Sequence, residues 1–442
     1  MNTRQVRVNE GLLEGEETLS YAVFRGVPYA RPPVGDLRWK RPEPPKAWEG
    51  IRQAVVFQNR AVQNQKGKAF YQKEFYADPE FLPPMSEDCL YLNIWTPVKK
   101  KAEDGAYPVA VWIHGGAFLG GYGSEIEFDG AEFAKRGVIL VTINYRLGPL
   151  GFLALPQLAL EDPAQTTGNY GILDQIAALR WVKKNIASFG GDPDRVTVFG
   201  QSAGAVSVQT LCNSPLSRGL FTRAIMQSGG GMNNGLARDL HREEAYRIGE
   251  MLMRSCRCDR LSQMRELPAE VLCRKTQAVI GKIKGLPFSP MCDEYVLPGT
   301  YDENIRVGRI ADIPYLLGSN ANDILVRRRA VGRPGGKLYQ GCIDWALARE
   351  ETSEQKTYIY YFNRALPGDR AGAFHSAELW YVFGTLARSW RPFEEWDYEI
   401  SDAMICAWCN FIKYGDPNGR EGCGSDDWKP YRREDPCIRD FG

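Results

Sequence analysis

Arg195-Val-Thr-Val-Phe-Gly-Gln-Ser-Ala-Gly204 is a β-branched run that ends in Gly-x-Ser-x-Gly and opens into the helix-compatible Ala205-Val-Ser-Val-Gln-Thr-Leu211. The run reads as a buried strand, a sharp turn and a helix start. In such a turn the middle residue takes a strained backbone conformation, which glycines two before and two after leave room for. Ser202 is the residue so presented, its hydroxyl pushed out at the carboxyl end of a sheet. The backbone N–H of Ala203, at the helix start, is left unpaired and is a ready donor for an oxygen that becomes negative beside Ser202. The alternative is a structural glycine turn that happens to hold a serine, and the flanking strand and helix weigh against it.

Strands separated by helices surround this stretch. Val109-Ala-Val-Trp-Ile113 and Val138-Ile-Leu-Val-Thr-Ile143 are apolar strands, Ile172 to Ala187 has helical spacing, and Phe221 to Ser228 leads into another strand. Two late strands, Ile313-Pro-Tyr-Leu-Leu-Gly318 and Tyr358-Ile-Tyr-Tyr-Phe362, return to the core. This alternation predicts an α/β fold with a mostly parallel central sheet flanked by helices. Residues 235 to 310 read as helical excursions over the sheet, residues 61 to 80 as an exposed Gln/Lys-rich loop, and Tyr398 to Tyr414 as a helix. No linker or internal repeat interrupts the chain, so residues 1–442 are expected to form a single domain.

Composition narrows the partners. With 55 Lys plus Arg against 54 Asp plus Glu the net charge is +1, which gives no pull toward nucleic acid or an anionic membrane. Arg327-Arg-Arg329 reads as a solvated loop edge. No apolar run follows the charged N-terminus and none elsewhere reaches membrane-spanning length, so a cytoplasmic location is expected. Eleven cysteines in that setting favour free thiols, and Cys406-Ala-Trp-Cys409, inside a helix, reads as two buried thiols rather than a redox pair. No Cys/His cluster has metal spacing, and neither cofactor nor metal is expected. The oligomeric state is not legible, with a monomer favoured.

His114-Gly-Gly-Ala-Phe118 closes a strand upstream of Ser202, where successive glycines leave N–H groups free to converge on one oxygen. A serine nucleophile needs a base, and only His114, His241 and His375 exist. His241 lies on a polar helical face and His114 precedes the serine, against the chain order serine, acid, histidine. His375, in Ala371-Gly-Ala-Phe-His-Ser-Ala-Glu-Leu379, remains. The acid belongs at the carboxyl end of a strand between them, and Asp323 sits there, whereas Asp312 lies at the other end of the same strand. The alternative for Asp323 is a loop-capping aspartate.

These residues resemble the type-B carboxylesterase/lipase family, cholinesterase-like members of the α/β-hydrolase fold, and in style the bacterial para-nitrobenzyl esterases. Phe24 to Arg38 is similar to the family's opening signature, Glu87-Asp-Cys-Leu-Tyr-Leu-Asn93 to its second, and Phe189-Gly-Gly-Asp-Pro193 through Gly204 to its serine signature. The resemblance implies Ser202 as nucleophile, Asp323 as acid and His375 as base. It implies that Gly116, Ala117 and Ala203 supply the oxyanion N–H groups, that Gly115 leads into that loop, and that Ser228 supports the acid. Arg38 and Glu87 match a structural ion pair. Phe118 and Trp380 are expected near the pocket, in reach of substrate.

Three features depart from the family pattern. The acid is Asp where most members have Glu, Ile324 follows it instead of Gly, and the span from Asp323 to His375 is short. The short span implies reduced cap helices. Cys89 also lacks the upstream cysteine with which secreted relatives pair it. The expected reaction is hydrolysis of an uncharged carboxylic ester, a small molecule, through an acyl-enzyme. A binding protein on this fold would have lost part of the triad, and a peptidase would carry an added domain; neither is seen.

Overall fold

The computed structural model describes residues 2–64, 69–98, 105–324, 326, 335–419 and 427–442, so the Arg327 to Arg329 cluster lies outside the described residues. A twelve-stranded sheet runs through the whole of it. In chain order its strands are β1 (Asn2–Val8), β2 (Gly11–Glu17), β3 (Tyr21–Pro28), β4 (Ile51–Gln53), β5 (Tyr91–Pro97) and β6 (Tyr107–Ile113). There follow β7 (Ile139–Ile143), β8 (Gly191–Gln201), β9 (Arg223–Gln227), β10 (Tyr315–Asn320), β11 (Thr357–Phe362) and β12 (Ile438–Phe441).

Side by side the order is β1-β2-β3-β5-β7-β6-β8-β9-β10-β11-β12, with β4 alongside β2. From β7 to β12 every pairing is parallel, and Val198 of β8 sits between Val111 of β6 and Ala224 of β9. On the other side of β7 the pairings are antiparallel, except that β4 lies parallel to β2. Each residue of β6, β7, β10 and β11 is buried, as parallel strands covered on both faces must be.

Helices cover the sheet: α1 (Ala69–Phe75), α2 (Tyr170–Asn185), α3 (Ala203–Asn213), α4 (Arg242–Cys256), α5 (Lys337–Thr352), α6 (Leu379–Val382) and α7 (Glu395–Tyr414). In α2 the apolar residues Ile172, Ile176, Leu179 and Val182 recur at helical spacing and are buried. It ends two residues earlier than the spacing predicts, because a 3₁₀ turn takes over and stops at Gly190 with φ 87°. Asp174, on the same helix, forms a fully buried ion pair with Arg146, with Nη2 to Oδ1 at 2.7 Å. Arg38 and Glu87 pair as expected, and Arg38 also donates to the carbonyls of Arg265 and Leu267. Between β10 and β11, α5 is the only helix of the described residues, a sparse covering for that interval.

Two expectations need correction. Residues 61 to 80 are not simply an exposed loop: α1 forms there, and Glu74 and Phe75 are buried. Its aromatic residues pack inward while the Gln and Lys residues beside them make the stretch look solvated. Among the described residues nine cysteines are free, Cys89 and Cys409 among them, but Cys406 is disulfide-bonded. The reading of Cys406 as a buried thiol therefore fails, and spacing to Cys409 says nothing about it. Among the described residues no helix is long and apolar enough to cross a membrane.

Candidate active site

The turn between β8 and α3 holds Ser202 at φ 56° and ψ −124°, a conformation that costs about 1–3 kcal/mol for a non-glycine residue. Its N–H donates to the Gln227 carbonyl at 2.9 Å, which ties the turn to the neighbouring strand. The flanking glycines are dictated by crowding. A Cβ on Gly204 would lie 2.0 Å from the Ile113 carbonyl oxygen, and one on Gly200 would lie 2.6 Å from the Gly204 backbone. The motif Gly-x-Ser-x-Gly thus follows from how closely α3 must approach β6.

The strand end of β6 delivers the glycine loop to the same place. Gly116 has φ 100°, and a Cβ there would meet the Gly120 carbonyl oxygen at 2.2 Å. Ala117 and Phe118 follow at φ 57° and 58°, so the loop turns its N–H groups to one side. Among the described residues no acceptor is seen for the N–H groups of Gly116, Ala117 and Ala203. Gly115, Gly116, Ala117 and Ser202 border one cavity of about 790 Å³, and Ala203 follows Ser202 directly in the chain.

Asp323 and His375 come together across β10 and the loop after β11. His375 Nδ1 lies 2.5 Å from Asp323 Oδ1. Asp323 also accepts the N–H of Ile324 at 2.8 Å and that of Asn320 at 3.0 Å, which fixes both of its oxygens. On the far side of the ring, the side-chain amide nitrogen of Gln201 is 3.3 Å from His375 Nε2. With the proton on Nδ1, Nε2 accepts from that amide. Ser202 and His375 face the same cavity. Asp312, by contrast, pairs with Arg349 at 2.6 Å, remote from this arrangement.

The other two histidines are elsewhere. His114 is buried and stacked on Tyr145 with ring centroids 4.5 Å apart, its Nδ1 2.9 Å from the Gly115 carbonyl. Burial pulls its pKa down to about 4, so it is a neutral packing residue. His241 is exposed at the start of α4.

Two residues expected at the pocket are not in its wall. Phe118 is fully buried and packs edge-to-face on Phe152, because the left-handed turn directs its side chain into the core. Trp380 is fully buried too, stacked on Phe75 and donating its indole N–H to Glu74. Phe75, Phe128, Leu236, Leu286 and Leu379 make up much of the apolar lining instead. Ser228 lies under the site at φ 49°, and its hydroxyl has no hydrogen-bond partner among the described residues, so contact with Asp323 is not seen.

Several participants are absent from the expectations. Asn320 donates to the Phe374 carbonyl at 2.8 Å, and Asn322 exchanges hydrogen bonds with Ala373, which together lace the acid loop to the histidine loop. Glu378, completely buried, accepts from Gln227 and Asn320 beside Asp323. Burial pushes its carboxyl up to about 7, the Asp323 charge adds to this, and the Asn320 hydrogen bond opposes it. An acid embedded in the apolar run after His375 was the available signal. Glu125 and Glu127, in the cavity wall, are also raised by burial and share a hydrogen bond.

The chain matches the Carboxylesterase family over residues 2–334 and 337–439. It is 32% identical over 486 residues to para-nitrobenzyl esterase of Bacillus subtilis (strain 168), covering 98% of this chain and 94% of that one. Fumonisin B1 esterase of Sphingopyxis macrogoltabida is 41% identical over 317 residues, which is 71% of this chain and 55% of that relative's length. A solved PNB esterase structure superposes with a TM-score of 0.86 at 29% identity, over 99% of this chain and 96% of that one.

Proposed function

The chain belongs to the carboxylesterase family and is a carboxylic ester hydrolase, and from that premise we propose that Ser202, His375 and Asp323 carry the reaction. Ser202 Oγ attacks the ester carbonyl carbon while His375 Nε2 takes its proton. Asp323 Oδ1 accepts the Nδ1–H, which selects the tautomer and stabilises the imidazolium. The N–H groups of Gly116, Ala117 and Ala203 receive the oxyanion, with Gly115 shaping the loop that aims them. Collapse of the intermediate expels the alcohol, protonated by His375, and leaves an acyl-Ser202 ester. Water, deprotonated by His375, then releases the acid.

The supporting observation is the 2.5 Å contact of His375 with Asp323 on the rim of the cavity that Ser202 faces from its strained turn. An uncharged small-molecule ester suits a cavity whose wall is largely apolar and whose buried glutamates are held toward the neutral form. The reading includes a single domain, since β1 and β12 belong to one sheet, and a monomer. A cytoplasmic location is supported by nine free thiols among the described residues, while the bonded Cys406 counts against it.

Ser202→Ala tests the mechanism. It is expected to abolish labelling by a fluorophosphonate probe and to lower p-nitrophenyl ester turnover by about 10⁴-fold or more. Persistent labelling would move the nucleophile elsewhere.

A further inference from the structure

α1 is a seven-residue helix, too short to hold its shape without tertiary ties. One side of it, with Tyr76 just beyond, presents Tyr71, Gln72 and Phe75 to the reaction cavity. Tyr71 Oη donates to the main-chain carbonyl of His375 at 3.1 Å, and Phe70 packs edge-to-face on Phe374 at 4.9 Å. The helix is thus both a cavity wall and a brace for the histidine loop.

What fastens it is Glu74, whose side chain is 1% exposed and does not border the cavity. Oε1 accepts from Trp380 Nε1 at 3.0 Å and Arg391 Nε at 2.8 Å. Oε2 accepts from Trp390 Nε1 at 3.0 Å and Arg391 Nε at 3.1 Å. Arg391 is held in turn by the Pro367 carbonyl at 2.8 Å and by Asp369 at 3.0 Å. Every donor comes from residues 380 to 391, just beyond His375 in the chain. The carboxylate has its acceptor sites filled and none turned to a ligand, so it acts only through where it keeps α1.

We propose that Glu74 is a specificity-determining positioning residue, which by clamping α1 to Trp380, Trp390 and Arg391 limits the size of ester the cavity accepts. The inference rests on the Ser202–His375–Asp323 reading of that cavity. A buried ion pair with a purely structural role would lower the amount of folded enzyme without altering which esters it prefers. A clamp on a cavity wall alters the preference itself.

The test compares kcat/KM for p-nitrophenyl acetate with that for a bulky p-nitrophenyl ester of a branched or aromatic acid. Glu74→Gln keeps the volume but turns an amide NH₂ toward donors, so at least one tie is lost. The bulky-to-acetate ratio is expected to rise about tenfold, with KM for the bulky ester falling more than kcat changes. Trp390→Phe, at a side chain on the outer edge of the cluster, removes a single donor and is expected to shift the ratio in the same direction by about threefold. A ratio within about twofold of the parent in folded Trp390→Phe, or in folded Glu74→Gln, overturns the proposal. Where Glu74→Gln does not fold, Trp390→Phe decides alone. Fluorophosphonate labelling of the same samples separates the two readings: intact labelling with an unchanged ratio removes the clamp, whereas loss of labelling in the parent removes the nucleophile.

Discussion

Replacing Glu378 by Gln should flatten the dependence of stability on pH. The carboxyl is buried against Asp323 and His375, and its pKa stands at about 7 against an ordinary value of 4.5. Folding therefore tightens its hold on a proton. Below pH 4.5 both states carry that proton, and the folded state keeps the whole advantage. As pH rises toward 7 the unfolded chain releases its proton first, and the advantage is lost by the time the folded carboxyl ionises. A rise from 4.5 to about 7 corresponds to about 3 kcal/mol. Glutamine cannot titrate, and it keeps one acceptor for the donors from Asn320 and Gln227. Urea unfolding at pH 4.5 and pH 8 measures both proteins. The parent should lose about 3 kcal/mol more than the variant across that interval, on top of whatever slope Glu125 and Glu127 give to both. Equal slopes would refute the reasoning, since Glu378 would then be ionised beside Asp323 throughout.

Asp323→Asn should lower kcat/KM for p-nitrophenyl acetate by about 10³-fold or more, because the imidazole loses the partner that selects its tautomer. Asp312→Asn, which loosens only Arg349 and Ser353, should stay within about tenfold; equal losses would put the acid elsewhere. Gly204→Ala should abolish fluorophosphonate labelling, since the added methyl would overlap the Ile113 carbonyl and force α3 off β6. Normal labelling would show the contact can relax. Asp174→Ala leaves Arg146 buried and unpaired, which should cost about 3–5 kcal/mol in urea unfolding at constant pH.

The fold was legible where local chemistry is demanding. Gly200 and Gly204 are required by the approach of α3 to β6, and a β-branched run before them can only be a buried strand. With three histidines in the chain, position relative to the strands narrowed the proposed base to His375. Asn320, Asn322 and Glu378 escaped notice because their work consists of contacts across about fifty residues, which no periodicity announces. The helix α1 was hidden for a related reason: its aromatic face has meaning only once Phe374 and Trp380 are against it. Phe118 and Trp380 were misplaced because nearness in sequence to a catalytic loop does not reveal which way a side chain points.

The brace that α1 gives to the histidine loop spans 304 residues between Tyr71 and His375, and 317 between Glu74 and Arg391. During synthesis, a chain that has emerged only as far as β9 already contains Ser202, the glycine loop and α1, yet has neither its proposed base nor residues 380 to 391, which fasten α1. The proposed nucleophile thus emerges unarmed, and the switch to a working enzyme is thrown by the last quarter of the polypeptide.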